Sequence, residues 1–380
     1  MTDGSRRRNL LLILLFNFTA LLFIFIIAEL GLRFFSDRQY QAPGKIRMES
    51  LQYEPSVFSI HVFPRREHLA KGLRGRQYYI NQLGYRGLPF SPRKPEGVIR
   101  IIFYGGSQVF DSPATLGRDW PHQVEGLLRK AGFDRVETIN AGIPGHASFD
   151  SVGRLLTEGH RFNPDYVVLC NAWNDIKYFR SDQPLLRDLH PYAAAQDPRV
   201  SYHGPVDRFM SERYQLYLRL RHLYYQWKEN LGEEGRQPAG KLDDHLNPLG
   251  LDQYRLNIEI FADLARNTGA IPILMTQPRL VKPDNSPDQR NRIGYQWPLL
   301  THEALVRAFA ATDEIIRAVA SEKGVPVINA SAYLSGRDNM FIDHVHLTEL
   351  GSRSLAGLAA WRISELLKVY QTGPPEGPSD

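Results

Sequence analysis

From residue 98 onward the chain alternates between two hydrophobic periods, and this alternation most restricts its fold. Short apolar runs, rich in β-branched and aromatic side chains, occur at residues 101–105, 136–139, 166–170, 270–276 and 326–329. Between and after them, residues 120–131, 149–162, 251–267, 301–323 and 348–367 carry apolar side chains at helical spacing. Strands separated by helices are joined by right-handed crossovers, which give a parallel sheet with helices on both faces. The run Tyr166-Val167-Val168-Leu169-Cys170 is apolar throughout, as a central strand buried on both faces requires.

In such a sheet the loops at the carboxyl ends of the strands converge in space and bind ligands. Four of these loops carry chemistry. Gly105-Gly106-Ser107 breaks the first strand and exposes a serine. The loop 140–148 contains Gly142, Gly145 and His146, and the third strand runs into Asn171-Ala172-Trp173-Asn174-Asp175. Before the last helix stands Asp343-His344-Val345-His346. A serine needs a base to take its proton, and the base needs an acceptor to hold its tautomer, so these groups together suit nucleophilic acyl transfer. Taken singly, Gly-Gly-Ser is also an ordinary helix-capping turn, and Asp343, His344 and His346 are also a partial metal-ligand set that lacks further ligands. His146 is read either as a pocket residue or as a satisfied loop histidine. His344 is read as structural or as a pocket wall, and Asp175 and Asp111 as braces of their loops.

Before residue 98 the pattern is different. Residues 10–28 hold no charge, with Arg6, Arg7 and Arg8 before them and Glu29 and Arg33 after. The run approaches the ~20 residues that span a bilayer, and no small-residue cleavage site follows it. The expected layout is a cytoplasmic tail over 1–9 and a transmembrane signal anchor over 10–34. An irregular collar over 35–97 and the catalytic domain over 98–370 follow, with a disordered tail over 371–380. The basic residues before the run place the amino terminus in the cytoplasm and the rest on the periplasmic or extracellular side of a bacterial cytoplasmic membrane. Residues 179–250 read as an insertion whose clearest element is a helix over 206–231. The net charge is +5 over 380 residues, without a Lys/Arg block, so nucleic acid is not an expected partner. The single cysteine, Cys170, is expected to be a buried small hydrophobe.

Gly105-Gly106-Ser107, Asn140-x-Gly142-x-x-Gly145, Asn174-Asp175 and Asp343-x-x-His346 resemble, in order and spacing, the motifs of the SGNH hydrolases, or GDSL-type esterases. The resemblance covers residues 98–368. The segment Asn81-x-x-Gly84-Tyr85-Arg86-Gly87 is similar to one in membrane-anchored bacterial members. The resemblance implies a flavodoxin-like three-layer α/β/α sandwich with a five-stranded parallel sheet. It implies Ser107 as nucleophile, His346 as general base and then acid, and Asp343 as the residue orienting His346. The oxyanion would be held by the backbone N–H groups of Ser107 and Gly145 and by the Asn174 amide. No metal or cofactor is implied.

Two positions depart from the family pattern. Gly106 stands where Asp is usual, which removes a side chain expected to stabilise the serine loop. Ala172 stands where Gly is usual, and Trp173 places an indole beside Asn174. The leading expectation is an esterase removing an acyl group, with acetyl the first case, from an extracytoplasmic glycan or lipid. An acyltransferase using the same acyl-enzyme is the second. A catalytically silent domain binding envelope polysaccharide or a protein partner is the third.

Overall fold

Strand-forming and helix-forming segments alternate as the hydrophobic periods require, and the resulting structure is a computed structural model. It describes residues 3–35, 56, 58–59, 62–63, 65–71, 77–111, 114–180, 204–231 and 242–372. Contacts divide the chain into two units: residues 1–51 with 190–237, and residues 52–189 with 238–380.

The smaller unit contains α1 (Asp3–Phe35), an uninterrupted helix whose span Leu11–Phe35 has a mean hydropathy of 2.9. Its apolar side chains face outward, and it is long and apolar enough to cross a membrane. The helix expected over 206–231 is two helices, Pro205–Arg213 and Gln215–Leu231, with Tyr214 extended between them. The remainder of the expected insertion, apart from 179–180, 204 and 242–250, lies outside the described residues.

The larger unit begins with a hairpin, β1 (His68–Lys71) and β2 (Gln77–Ile80), inside the region expected to be irregular. The sheet then forms from β3 (Ile99–Gly105), β4 (Val136–Asn140), β5 (Tyr166–Cys170), β6 (Ile271–Met275) and β7 (Val327–Ile328). The strands are all parallel, in the order β4-β3-β5-β6-β7. Side chains alternate across the sheet. Ile102, Tyr104, Val167, Leu169 and Leu274 face one helical layer, which contributes Leu155, Ile258, Phe261, Phe309 and Ile316. Ile101, Phe103, Val168, Cys170, Ile273 and Met275 face the other, which contributes Trp120, Val124, Leu355, Ala359 and Ile363. This is a three-layer α/β/α sandwich. The helix expected over 149–162 is an α-helix over Ser148–Thr157 followed by a 3-10 turn over Gly159–Phe162. The last helix continues to Thr372, two residues into the segment expected to be a tail, and residues 373–380 lie outside the described residues.

The strand order reverses beside β3: the chain goes outward to β4, then crosses to β5 on the other side. The carboxyl ends of β3 and β5 therefore flank the switch point at which open α/β sheets bind ligands. Ser107 follows β3, and Asn174 follows β5.

Candidate active site

Ser107 is the first residue of a single helical turn, Ser107–Phe110, directly after β3. As a first helical residue it has no intrahelical acceptor for its backbone N–H. The Asp343–His346 segment comes from the opposite end of the chain's sheet-forming region and folds over this turn. His346 Nε2 lies 2.9 Å from Ser107 Oγ. His346 Nδ1 lies 2.7 Å from Asp343 Oδ2. The other carboxylate oxygen of Asp343 accepts the backbone N–H groups of Val345 at 3.1 Å and His346 at 2.9 Å. Burial raises the Asp343 pKa, but the His346 hydrogen bond and the charges of His346 and His344 outweigh it and hold the carboxyl well below its usual range. An anionic acceptor on Nδ1 leaves Nε2 as the ring nitrogen that faces the serine.

The loop after β4 and the turn after β5 form the facing wall. Gly145 has φ +89°, a left-handed conformation that favours glycine. Its N–H donates to no protein acceptor among the described residues. Asn174 is buried on a short turn over Trp173–Ile176, and its Nδ2 donates to the carbonyl of His146 at 2.9 Å. That bond uses one of the two amide hydrogens. Asn171 Nδ2 donates to the same carbonyl at 2.9 Å. Asp175 accepts the Ser148 N–H at 2.9 Å and its hydroxyl at 2.5 Å, so it ties the Gly145 loop to the Asn174 turn. Asn257 donates to Ser148 Oγ at 2.9 Å from the helix Pro248–Asn267.

A cleft of about 320 Å³ opens over these groups, lined by Ser107, Pro144, Gly145, Trp173, Asn174, Gly294, Gln296, Trp297, His344 and His346. Of the five residues given catalytic or oxyanion roles by the resemblance, Ser107, Gly145, Asn174 and His346 line this cleft, and Asp343 stands behind His346. His146 is fully buried and does not line the cleft. His344 does line it: its ring packs on Trp173 with centroids 3.9 Å apart, and its Nδ1 accepts the Gly294 N–H at 3.4 Å. Asp343, His344 and His346 bring three potential metal-ligand atoms within 4.8 Å of one another. Two of those side chains are already engaged, Asp343 with His346 and His346 with Ser107.

Two residues quoted from the sequence take supporting roles that the sequence did not show. Gly106 leaves room for Asn174, since a Cβ there would lie 2.6 Å from Asn174 Nδ2 and 2.9 Å from the His146 carbonyl. The space that a family Asp would take is therefore occupied by the amide, which revises the reading of Gly106 as a lost brace. Arg86, from the collar, is buried and donates to the carbonyls of Phe110, Asp111 and Ala114, the segment that leaves the serine turn. Its Nε also sits 3.4 Å from Asp119.

The family model described as GDSL-like Lipase/Acylhydrolase matches residues 103–353, more than half of the chain. Among solved structures, the acetylxylan esterase Axe2 of Geobacillus stearothermophilus is 16% identical, with a TM-score of 0.43, covering 71% of this chain and 96% of its own. The acetyl xylan esterase AlAXEase is also 16% identical, with a TM-score of 0.40, covering 70% of this chain and 99% of its own. A comparison with curated proteins gives no match. The chain belongs to the GDSL-like lipase/acylhydrolase family and is an ester-bond hydrolase.

Proposed function

We propose that the chain removes a short acyl group, acetyl in the leading case, from an ester on an extracytoplasmic glycan through an acyl-enzyme on Ser107. Ser107 Oγ attacks the acyl carbonyl while His346 Nε2 takes its proton. Asp343 holds the ring and offsets the imidazolium charge. The oxyanion is held by the N–H groups of Ser107 and Gly145 and by the second amide hydrogen of Asn174. His346 returns the proton to the departing alkoxide, which leaves as the alcohol. Water then attacks the acyl-enzyme, giving the carboxylic acid and free Ser107. The observation that carries this reading is the chain of contacts from Asp343 through His346 to Ser107, at 2.7 and 2.9 Å.

A polyhydroxylated alcohol suits the cleft, because Trp297, Gln296 and His344 among its lining residues bring an indole, an amide and an imidazole. In the same reading α1 is a membrane anchor that holds the hydrolase at the outer face of the cytoplasmic membrane. A fluorophosphonate probe on the detergent-solubilised full chain tests the chemistry. Labelling that is present in the parent and absent in folded Ser107→Ala, and much reduced in His346→Ala, supports it. A folded parent that neither labels nor hydrolyses p-nitrophenyl acetate would refute it.

A further inference from the structure

The amino edge of the sheet, opposite to the edge that carries Ser107, holds a basic cleft. β3 enters from the segment 91–98 and β5 from Asn163, while Ser107 and Asn174 follow the carboxyl ends of the same two strands. At roughly 3.3 Å per residue, the seven residues of β3 put about 20 Å between the two edges. The cleft, of about 520 Å³, is lined by Arg65, Arg93, Lys94 and Arg161 against a single carboxylate, Glu158. Glu158 is already shared, since Arg154 donates to it at 3.0 Å and Arg65 at 3.1 Å. Lys94 pairs with Asp165 at 2.6 Å. Arg93 and Arg161 are exposed and form no ion pair among the described residues. The cleft thus keeps two guanidinium groups without a counter-charge.

The two segments that carry these arginines are fixed in place. Arg100, fully buried at the start of β3, donates to the carbonyls of Ser91 at 2.8 Å and Pro92 at 3.1 Å on one side. It donates to the Phe162 carbonyl at 2.7 Å on the other. Phe162 and Leu83 give the cleft an apolar part, and the Phe162 ring packs edge-on against Phe90 at 5.1 Å and Tyr85 at 5.3 Å. Asn163, left-handed at φ +50°, adds a side-chain amide. Guanidinium forks match the oxygens of a carboxylate or a phosphate. An apolar patch with an amide beside them suits a sugar ring next to that anion, since ligand clefts combine apolar walls with a few polar groups. A lipid headgroup layer needs a basic face that meets the membrane plane, whereas these groups line a recess.

We propose that this cleft binds an anionic sugar, one that carries a carboxylate or a phosphate, and so docks the glycan at a place separate from Ser107. The purpose assigned to the cleft rests on the reading of a glycan substrate, but binding is measured without an ester, so its result stands whether or not Ser107 is active. The test is isothermal titration of the detergent-solubilised full chain with tri-galacturonate, glucose 1-phosphate, neutral maltotriose and glycerophosphoglycerol, the headgroup of phosphatidylglycerol. Either anionic sugar is expected to bind at least about tenfold more tightly than maltotriose, and more weakly as salt is raised. Arg93→Gln with Arg161→Gln is expected to weaken that binding at least about tenfold, with hydrolysis of p-nitrophenyl acetate within about twofold of the parent. Each single variant, expected to lose about threefold, carries the same test should the double variant fold poorly. Anionic sugars that bind no better than maltotriose overturn the proposal, as does unchanged binding in the folded variants. Glycerophosphoglycerol bound as tightly as the anionic sugars also overturns it, because the cleft would then serve lipid headgroups.

Discussion

Gln108, the residue after Ser107, donates from its side-chain amide to the carbonyl of Val345, the residue before His346, at 2.6 Å. The same nitrogen donates to the Pro278 carbonyl at 2.7 Å. The serine turn is thus bolted to the segment that carries its histidine, through a side chain that is 2% exposed. Replacing it by a group of similar volume without donors, Gln108→Met, leaves two carbonyls unpaired at a cost of about 1–3 kcal/mol each in buried settings. The variant is expected to melt lower and to label Ser107 with fluorophosphonate at least about tenfold more slowly, since a small displacement of Nε2 from Oγ is costly. Unchanged labelling in a folded variant would show that the bolt has no bearing on the pair.

How far the sequence could lead is visible in these residues. The sheet was legible because each strand is a short apolar run bounded by glycine or polar loops, and Ser107, Asn174 and His346 were legible because they follow or precede such runs. Gln108 was not, because a glutamine in a short helix reads as solvated unless its acceptors are known, and they lie more than a hundred residues away. Arg86 was hidden for the same reason: its acceptors are main-chain carbonyls, which have no sequence identity. The break at Tyr214 escaped as well, since the apolar spacing continues through it.

Gly106 and Asn174 compete for one space. A Cβ at Gly106 would meet Asn174 Nδ2 at 2.6 Å, so Gly106→Ala must push the amide aside or shift the loop. If Asn174 stabilises the oxyanion, losing its donor costs on the order of a hundredfold in rate. Gly106→Ala is therefore expected to lower kcat for p-nitrophenyl acetate toward the level of Asn174→Ala, with KM little changed. The double variant should lose no more than either single one. Additive losses would show that Gly106 acts on something other than the amide.

His344 stands in the cleft as a neutral ring. Burial and the adjacent His346 charge push its pKa down to about 4, against the pull of Asp343. The Gly294 N–H donates to Nδ1, which leaves the proton on Nε2 of a ring that lines the cleft. A substrate oxygen near the ester is its natural acceptor. His344→Phe keeps the stacking on Trp173 and removes the donor. The expected loss is about tenfold in kcat/KM for a mono-O-acetylated methyl xyloside. For p-nitrophenyl acetate, which has no sugar oxygens, little change is expected. Equal losses on both esters would assign His344 to packing alone.

Asp111 makes stability depend on pH in a direction opposite to that of Asp343. Its oxygens accept the Ser352 hydroxyl at 2.9 Å and the Trp120 N–H at 3.0 Å. Burial, reinforced by the nearby Asp119 charge, pushes its pKa up to about 7 despite Arg86 and those hydrogen bonds. In the unfolded chain an Asp releases its proton near pH 4. Between about pH 4 and pH 7 the folded state holds a proton that the unfolded state has lost, so stability falls as pH rises through that window and levels off above it. Asp175, pushed up to about 6 by burial, acts in the same direction over a narrower range. Asp111→Asn removes the Asp111 share and leaves that of Asp175 in place, so the comparison of variant with parent isolates it. The variant, whose amide stays neutral at every pH, is expected to gain on the parent steadily from about pH 4 to pH 7 and to be the more stable chain at pH 8. Thermal unfolding of both proteins across that range is the measurement. Parallel curves would mean that Asp111 is already ionised in the folded state, held so by Arg86.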